Sequence, residues 1–251
     1  MSYKFIQMSD PQLGFCASRR KDVNGVDYEI TNLKKAISIA NEIKPDFVIT
    51  TGDFTQDRLN SEHAEIVIDL YSTLNSPHYF APGNADLTNS PQFEDIDRFR
   101  RRFGSDYQSF YFLDSQFIIL NSCVLFDCTN VLGADVEQIK FLEEKLKEGF
   151  NNNCKEQMIF MHHPLFGQDP YEKDDHMVLP KNQRKIILNL LEKYNVTAVF
   201  TGHWHENNIV NYKNTELITT GPISLSLGEE PSGIRLIEVT DNKLEHRFIY
   251  L

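Results

Sequence analysis

Two rhythms of apolar and polar positions alternate along this chain. Residues 3–9 read as a strand, and residues 30–43 form a helical pattern with Leu33, Ile37 and Ala40 on one face. Residues 46–51 follow as a short buried strand, then a helix over 61–74, a strand over 78–81 and a helix over 92–103. Strand, helix, strand in that order predicts parallel pairing with the helices outside. After residue 105 the pattern changes. Residues 109–113 and 117–121 predict a hairpin turning at Asp114-Ser115, followed by a helix over 135–149, a strand over 157–161, a helix over 181–194 and a strand over 196–200. Strands separated by turns at Lys213-Asn214 and Asp241-Asn242-Lys243 fill the rest, which predicts an antiparallel C-terminal part. No repeat, low-complexity stretch or linker divides the 251 residues, so the pattern implies one domain over 1–251. Its class is α/β, with two mixed sheets packed between helical layers.

Composition narrows the functions open to such a domain. Lys and Arg total 25 against 36 Asp and Glu, a formal charge of −11. That deficit of cations excludes broad electrostatic binding of nucleic acid beyond nucleotides, or of an anionic membrane surface. The N-terminal residues lack a basic segment followed by a long apolar one, and no apolar run approaches the ~20 residues that span a bilayer. Cys16, Cys123, Cys128 and Cys154 show no paired spacing, as suits reduced thiols. Together these predict a cytoplasmic protein.

The chemistry is concentrated where apolar strands end, the position at which open α/β sheets hold ligands. Ser9-Asp10-Pro11-Gln12 follows the first strand, Gly52-Asp53 the second and Gly83-Asn84-Ala85-Asp86 the third. His162-His163-Pro164 and Gly202-His203-Trp204-His205 follow two later strands. Carboxylate, amide oxygen and imidazole without thiolate suit zinc, manganese or iron rather than a structural zinc knot. On extended backbone His203 and His205 would face one side, ~6.5–7 Å apart. That separation suits two ions ~3.5–4 Å apart, with Asp53 as the shared carboxylate.

The order Asp10-x-Gln12, Gly52-Asp53, Gly83-Asn84-x-Asp86, His162-His163-Pro164, Gly202-His203-x-His205 resembles the calcineurin-like metallophosphoesterase superfamily. The superfamily's pattern is D-x-H, G-D, G-N-H-[DE], H and G-H-x-H. The Asp-Pro-Gln opening is similar to the branch of calcineurin-like phosphoesterase-domain proteins and class III phosphodiesterase-like enzymes. The resemblance implies a four-layer α-β-β-α sandwich and two metal ions, iron or manganese foremost and zinc as a third candidate. Asp10, Gln12, Asp53 and His205 would hold one ion, and Asp53, Asn84, His162 and His203 the other. A hydroxide between the ions would attack phosphorus in line, cleaving a phosphomonoester or a phosphodiester of a small molecule or a phosphoprotein.

Two positions depart from the pattern. Gln12 offers an amide oxygen where imidazole is usual. Ala85 stands where the family has a histidine that assists the leaving group, a contribution typically worth ~10²–10⁴ in rate. His163, His176 or Tyr171 could supply the proton, an acidic leaving group could need none, or catalysis could be weak. His163 and Asp86 complete the catalytic set: His163 as acid or as a hydrogen-bonding support to the ligands, Asp86 chiefly as a brace of its own loop. Arg98, Arg100, Arg101 and Arg102 read as the solvent side of an amphipathic helix paired with Glu94, Asp95 and Asp97, against a weaker reading as a phosphate grip. Trp204 packs over the cleft or into the sheet. Against the enzyme stands a second class, a metal-binding interaction module of the same fold with weak or no catalysis, like the retromer subunit. Gln12 and Ala85 favour it, whereas the intact ligand set favours the enzyme.

Overall fold

The structure is a computed structural model, and it describes residues 2–22, 24–240 and 243–251. The first half runs β1 (Tyr3–Met8), α1 (Phe15–Arg19), α2 (Asp27–Ile43), β2 (Phe47–Thr51), α3 (Ser61–Tyr71), β3 (His78–Ala81), α4 (Asn84–Leu87) and α5 (Phe93–Phe103). The second runs β4 (Gln108–Phe112), β5 (Ser115–Ile119), α6 (Ser122–Phe126), α7 (Ala134–Asn151), β6 (Glu156–Phe160), α8 (Lys181–Lys193), β7 (Ala198–Thr201), β8 (Asn208–Tyr212), β9 (Thr215–Thr219), β10 (Gly233–Thr240) and β11 (Lys243–Tyr250). Five strands form one sheet in the order β11-β10-β1-β2-β3, and six form the other in the order β4-β5-β6-β7-β9-β8. No helix among the described residues is long and apolar enough to cross a membrane.

The predicted parallel core is present: β1, β2 and β3 pair in parallel, as do β5, β6 and β7. The C-terminal expectation needs correcting. β9 pairs antiparallel with β8 but parallel with β7, and β10 and β11 leave that sheet to extend the first one through β1. The β4–β5 turn falls one residue earlier than predicted, because Leu113 takes the left-handed conformation at φ 52°. Of the last predicted turn, Asp241 and Asn242 lie outside the described residues.

Strand parity builds the sandwich. Phe5, Phe47, Phe117, Phe160 and Phe200 turn into the space between the sheets, where Phe5 meets Phe117 edge-on at 5.6 Å and Phe160 stacks on Phe200 at 4.9 Å. Side chains of opposite parity, among them Ile6, Met8, Val48, Ile118, Ile159 and Val199, face the helices and join Leu33, Ile37, Val67, Leu142 and Ile187 in the outer apolar layers. This is the expected α-β-β-α arrangement.

Toward the carboxyl ends of the strands the interior changes from aromatic to polar. Arg235 on β10, opposite Gln7 in register, donates through Nε to Thr220 Oγ1 at 2.8 Å, and the Thr220 hydroxyl donates to Gln7 Oε1 at 2.5 Å. Gln7 Nε2 donates to Thr51 Oγ1 at 3.0 Å, Thr51 to Ser9 Oγ at 2.9 Å, and Ser9 to Asp10 Oδ2 at 2.5 Å. A buried chain of hydrogen bonds thus runs across both sheets, and every link donates toward Asp10.

Candidate metal centre

All seven predicted ligands meet at the polar end of the sandwich. β1 and β2 are prolonged past their last strand residues by Asp10 N–H to Gly52 O at 3.1 Å and Gln12 N–H to Asp53 O at 2.8 Å, which aligns the first two ligand loops. Asn84 opens α4 after β3, His162 follows β6, and His203 and His205 follow β7. Asp10, Gln12, Asp53, His203 and His205 all adopt positive φ, at 49°, 35°, 53°, 72° and 57°. Such conformations disfavour residues other than glycine and gather at functional sites. They also correct the geometry expected for His203 and His205. The pair is not extended, and the left-handed turns send the two rings to different partners. The motif glycines serve close approach: a Cβ on Gly52 would lie 2.7 Å from the Gly83 backbone, and one on Gly202 would strike Ser9 Oγ.

Three imidazoles are oriented from behind by main-chain carbonyls. His162 Nδ1 lies 2.8 Å from Thr51 O, His203 Nε2 2.9 Å from His176 O, and His205 Nδ1 2.8 Å from Leu225 O. A carbonyl only accepts, so each of these nitrogens carries the proton. His162 Nε2, His203 Nδ1 and His205 Nε2 are left to face the site.

The facing atoms form two groups that share Asp53. His162 Nε2 is 3.1 Å from His203 Nδ1, 3.0 Å from Asn84 Oδ1 and 3.4 Å from Asp53 Oδ1. These are lone-pair donors crowded on one point, which requires a cation, whether a proton or a metal ion. Asp53, His162 and His203 offer ligand atoms within 4.8 Å of one another. In the other group His205 Nε2 lies 3.5 Å from Asp10 Oδ1, and Gln12 Nε2 donates to Asp53 Oδ2 and Gln56 Oε1, both at 3.2 Å. Asp10 Oδ1 and Gln12 Oε1 are buried without a hydrogen-bond partner. Unpaired buried oxygens beside an imidazole lone pair are the donor set that a hard or borderline cation satisfies.

Electrostatics agree with this geometry. Burial opposes charge on Asp10, but His205 and His162 outweigh it and hold the carboxyl at about 2. Burial likewise opposes the His162 imidazolium, yet Asp53 and Asp10 raise it to about 9, so a proton occupies that point when no metal does. His203 is lowered to about 4 by burial and by His162.

The remaining candidates divide. Asp86 accepts from the Asp53, Phe54 and Gly83 N–H groups, each at 2.9 Å, so both of its oxygens serve the loops that carry the ligands. Burial, with Asp53 nearby, pushes it up to about 7 against the Gly83 and Phe54 donors. His163 is fully buried, with Nδ1 2.8 Å from Ser122 Oγ and Nε2 3.0 Å from Asn89 Oδ1, and its ring lies 4.6 Å from that of His203. Burial lowers it well below the usual range, so it is a neutral support with both nitrogens engaged. Tyr171 lines a separate cavity of about 410 Å³ with Lys181, Lys185 and Tyr212. Trp204 donates to Met177 O at 2.7 Å, which packs it on the loop before α8. Among the arginines, Arg98 pairs with Asp95 as expected, whereas Arg100 pairs with Asp106 and Arg102 donates to Arg58 O. Ser122, Asn89, Gln56 and Leu225 carry no motif in the sequence, and only the folded arrangement reveals them as supports.

Histidines and carboxylates on the strand ends of a two-sheet sandwich define a metallohydrolase class of site. A family model described as calcineurin-like phosphoesterase matches residues 3–207, and the chain belongs to that family. It is 31% identical over 262 residues to the serine/threonine-protein phosphatase CPPED1 of Bos taurus, covering 99% of this chain and 84% of that protein. A probable glycerophosphodiester phosphodiesterase, GpdQ, of Arcobacter nitrofigilis is 29% identical over 213 residues, covering 80% and 71%. Among solved structures, a dimetal phosphatase from Danio rerio superposes with a TM-score of 0.77 at 12% identity over 98% of this chain and 95% of that one, a likeness of fold.

Proposed function

We propose that this chain hydrolyses phosphate monoesters, with phosphoserine and phosphothreonine side chains of proteins as the leading substrate class, using two metal ions. The observation that carries the reading is the pair of ligand groups joined through Asp53, with two orphaned oxygens in one and a cation-requiring contact in the other. Similarity to CPPED1 over nearly the whole chain supports the substrate class.

Asp10, Gln12, Asp53 and His205 would hold the first ion, and Asp53, Asn84, His162 and His203 the second. Such a pair supplies Lewis acidity and makes water acidic enough to attack at neutral pH. The chain's own part is to fix the ligands: Asp86 sets the Asp53 and Gly83 loops, His163 backs His203, and three carbonyls hold the imidazoles in one tautomer.

An alkoxide leaving group needs a proton, and Ala85 has none to give. His163 has both ring nitrogens engaged and Tyr171 lines another cavity. His176 is exposed, and its main-chain carbonyl accepts from His203 Nε2 behind that ring. We assign the proton to His176. His176→Ala should slow hydrolysis of a phosphoserine peptide by ~10²- to 10⁴-fold while leaving 4-nitrophenyl phosphate nearly unchanged, and Ala85→His should favour the peptide. Equal effects on both substrates would remove the assignment. Two bound ions without turnover of phosphopeptide, aryl phosphate or bis(4-nitrophenyl) phosphate above an Asp53→Asn variant would leave the interaction module as the function. Turnover of the diester alone would instead align the chain with the GpdQ relative.

A further inference from the structure

The segment from Leu165 to Pro180 has no helix or strand, yet it holds two contacts at the metal centre: His176 O on His203 Nε2 and Met177 O on Trp204 Nε1. Leu179 N–H to Pro164 O at 2.9 Å and the Glu172 carboxylate on the Gly167 N–H at 2.8 Å brace it, and one further side chain joins its middle to its end. Arg184, on the first turns of α8, is 1% exposed. Nε and Nη2 donate to Leu179 O at 3.2 and 3.0 Å, and Nη1 donates to Pro170 O and Glu172 O, both at 3.1 Å. Asp174 Oδ1 approaches Nη2 only to 3.8 Å and accepts a hydrogen bond from Lys181 N–H instead. A buried guanidinium thus spends its directional bonds on three loop carbonyls, tying the middle of the segment to its end. The planar fork of arginine suits that task as a lysine ammonium does not.

We infer that Arg184 is a positioning residue for the second metal site. By closing the 170–179 segment it holds the His176 carbonyl against His203 Nε2, which keeps the His203 proton there and aims the Nδ1 lone pair at His162 and Asp53. Among the described residues no hydrogen bond joins this loop to Asp10, Gln12 or His205, and His205 is oriented by Leu225 O. The effect is therefore confined to one site. The inference rests on the proposed ligand sets, and two of its readouts need neither metal nor turnover.

Titration of the protein with Mn²⁺ separates the two affinities. Arg184→Met should weaken the His162/His203 site by about 10- to 100-fold, the usual cost of losing an outer support to a ligand, and leave the Asp10/His205 site unchanged. In the metal-free protein, ¹⁵N shifts of His203 should move from a single tautomer toward a mixture, and amides 171–179 should exchange at least about tenfold faster than in the wild type. Arg184→Lys keeps the charge without the fork and should fall between, so it carries the test if the methionine variant does not fold. Equal weakening of both sites, or an unchanged His203 tautomer and second-site affinity in a folded variant, would overturn the inference. Failure of hydrolysis alone would bear on the proposed function and not on this role.

Discussion

At the scale of single residues, the site is built from groups whose charge depends on one another. His162 keeps its proton to about pH 9 because Asp53 and Asp10 outweigh the burial that opposes it, whereas the unfolded chain releases it near ~6.5. A pKa raised by folding stabilises fully below the unfolded value, and that contribution is lost as pH rises through the folded one. Metal-free protein should therefore lose thermal stability between about pH 6.5 and 9 in denaturation scans. Saturating Mn²⁺ should reverse the slope, because binding at His162 displaces the proton. A His162→Asn variant should show both trends weakened, Asp86 still contributing to the first below about pH 7. Asp86 gives a second residue-level expectation. An amide cannot accept from all three N–H groups that Asp86 serves. Asp86→Asn should cost ~1–3 kcal/mol by urea denaturation and weaken metal binding through the displaced Asp53.

At the scale of elements, the strand ends explain what the sequence could and could not reveal. The motif residues were legible because their segments follow apolar strands, usually beside a Gly or Pro, and the structure brings all seven together. The pairing of β9 with β7 was not legible. The turn at Lys213-Asn214 predicts only that β8 and β9 are antiparallel neighbours, and whether β8 or β9 lies next to β7 depends on the path of the intervening 202–207 loop. The five left-handed ligand residues were equally hidden, because Asp, Gln and His carry no local signature of positive φ comparable to glycine. Short helices such as α4 and α6 offer too few residues for a periodicity to appear. Gly202 lets the β7 end approach Ser9 and Asp10. Gly202→Ala should push these strand ends apart, lowering metal stoichiometry in elemental analysis more than it lowers the melting temperature.

For the whole molecule, the sandwich separates stability from chemistry along its length. The phenylalanine layer fills one part of the space between the sheets, and the threonine, glutamine and serine chain fills the part that meets the ligands. Phe117→Ala should cost ~3–5 kcal/mol in denaturant titration, yet leave the Mn²⁺ affinity of the folded fraction within about twofold, since a buried phenylalanine acts here through packing alone. Loss of metal affinity out of proportion to the stability change would show that the two halves are coupled.

The chain of donors that begins at Arg235 gives the C-terminal strands a duty that a family boundary at residue 207 conceals. Its links run in a single direction, from Arg235 on β10 to Asp10 just past the end of β1. Leu225 O steers His205, and the Ser224 and Ile223 N–H groups bind Asp10 O and Ser9 O. Every one of these contributors lies past the matched segment. An excised fragment ending at residue 207 would retain every residue of the motif, and the carbonyls behind His162 and His203, while losing the carbonyl that aims His205 and the N–H groups that hold Ser9 and Asp10.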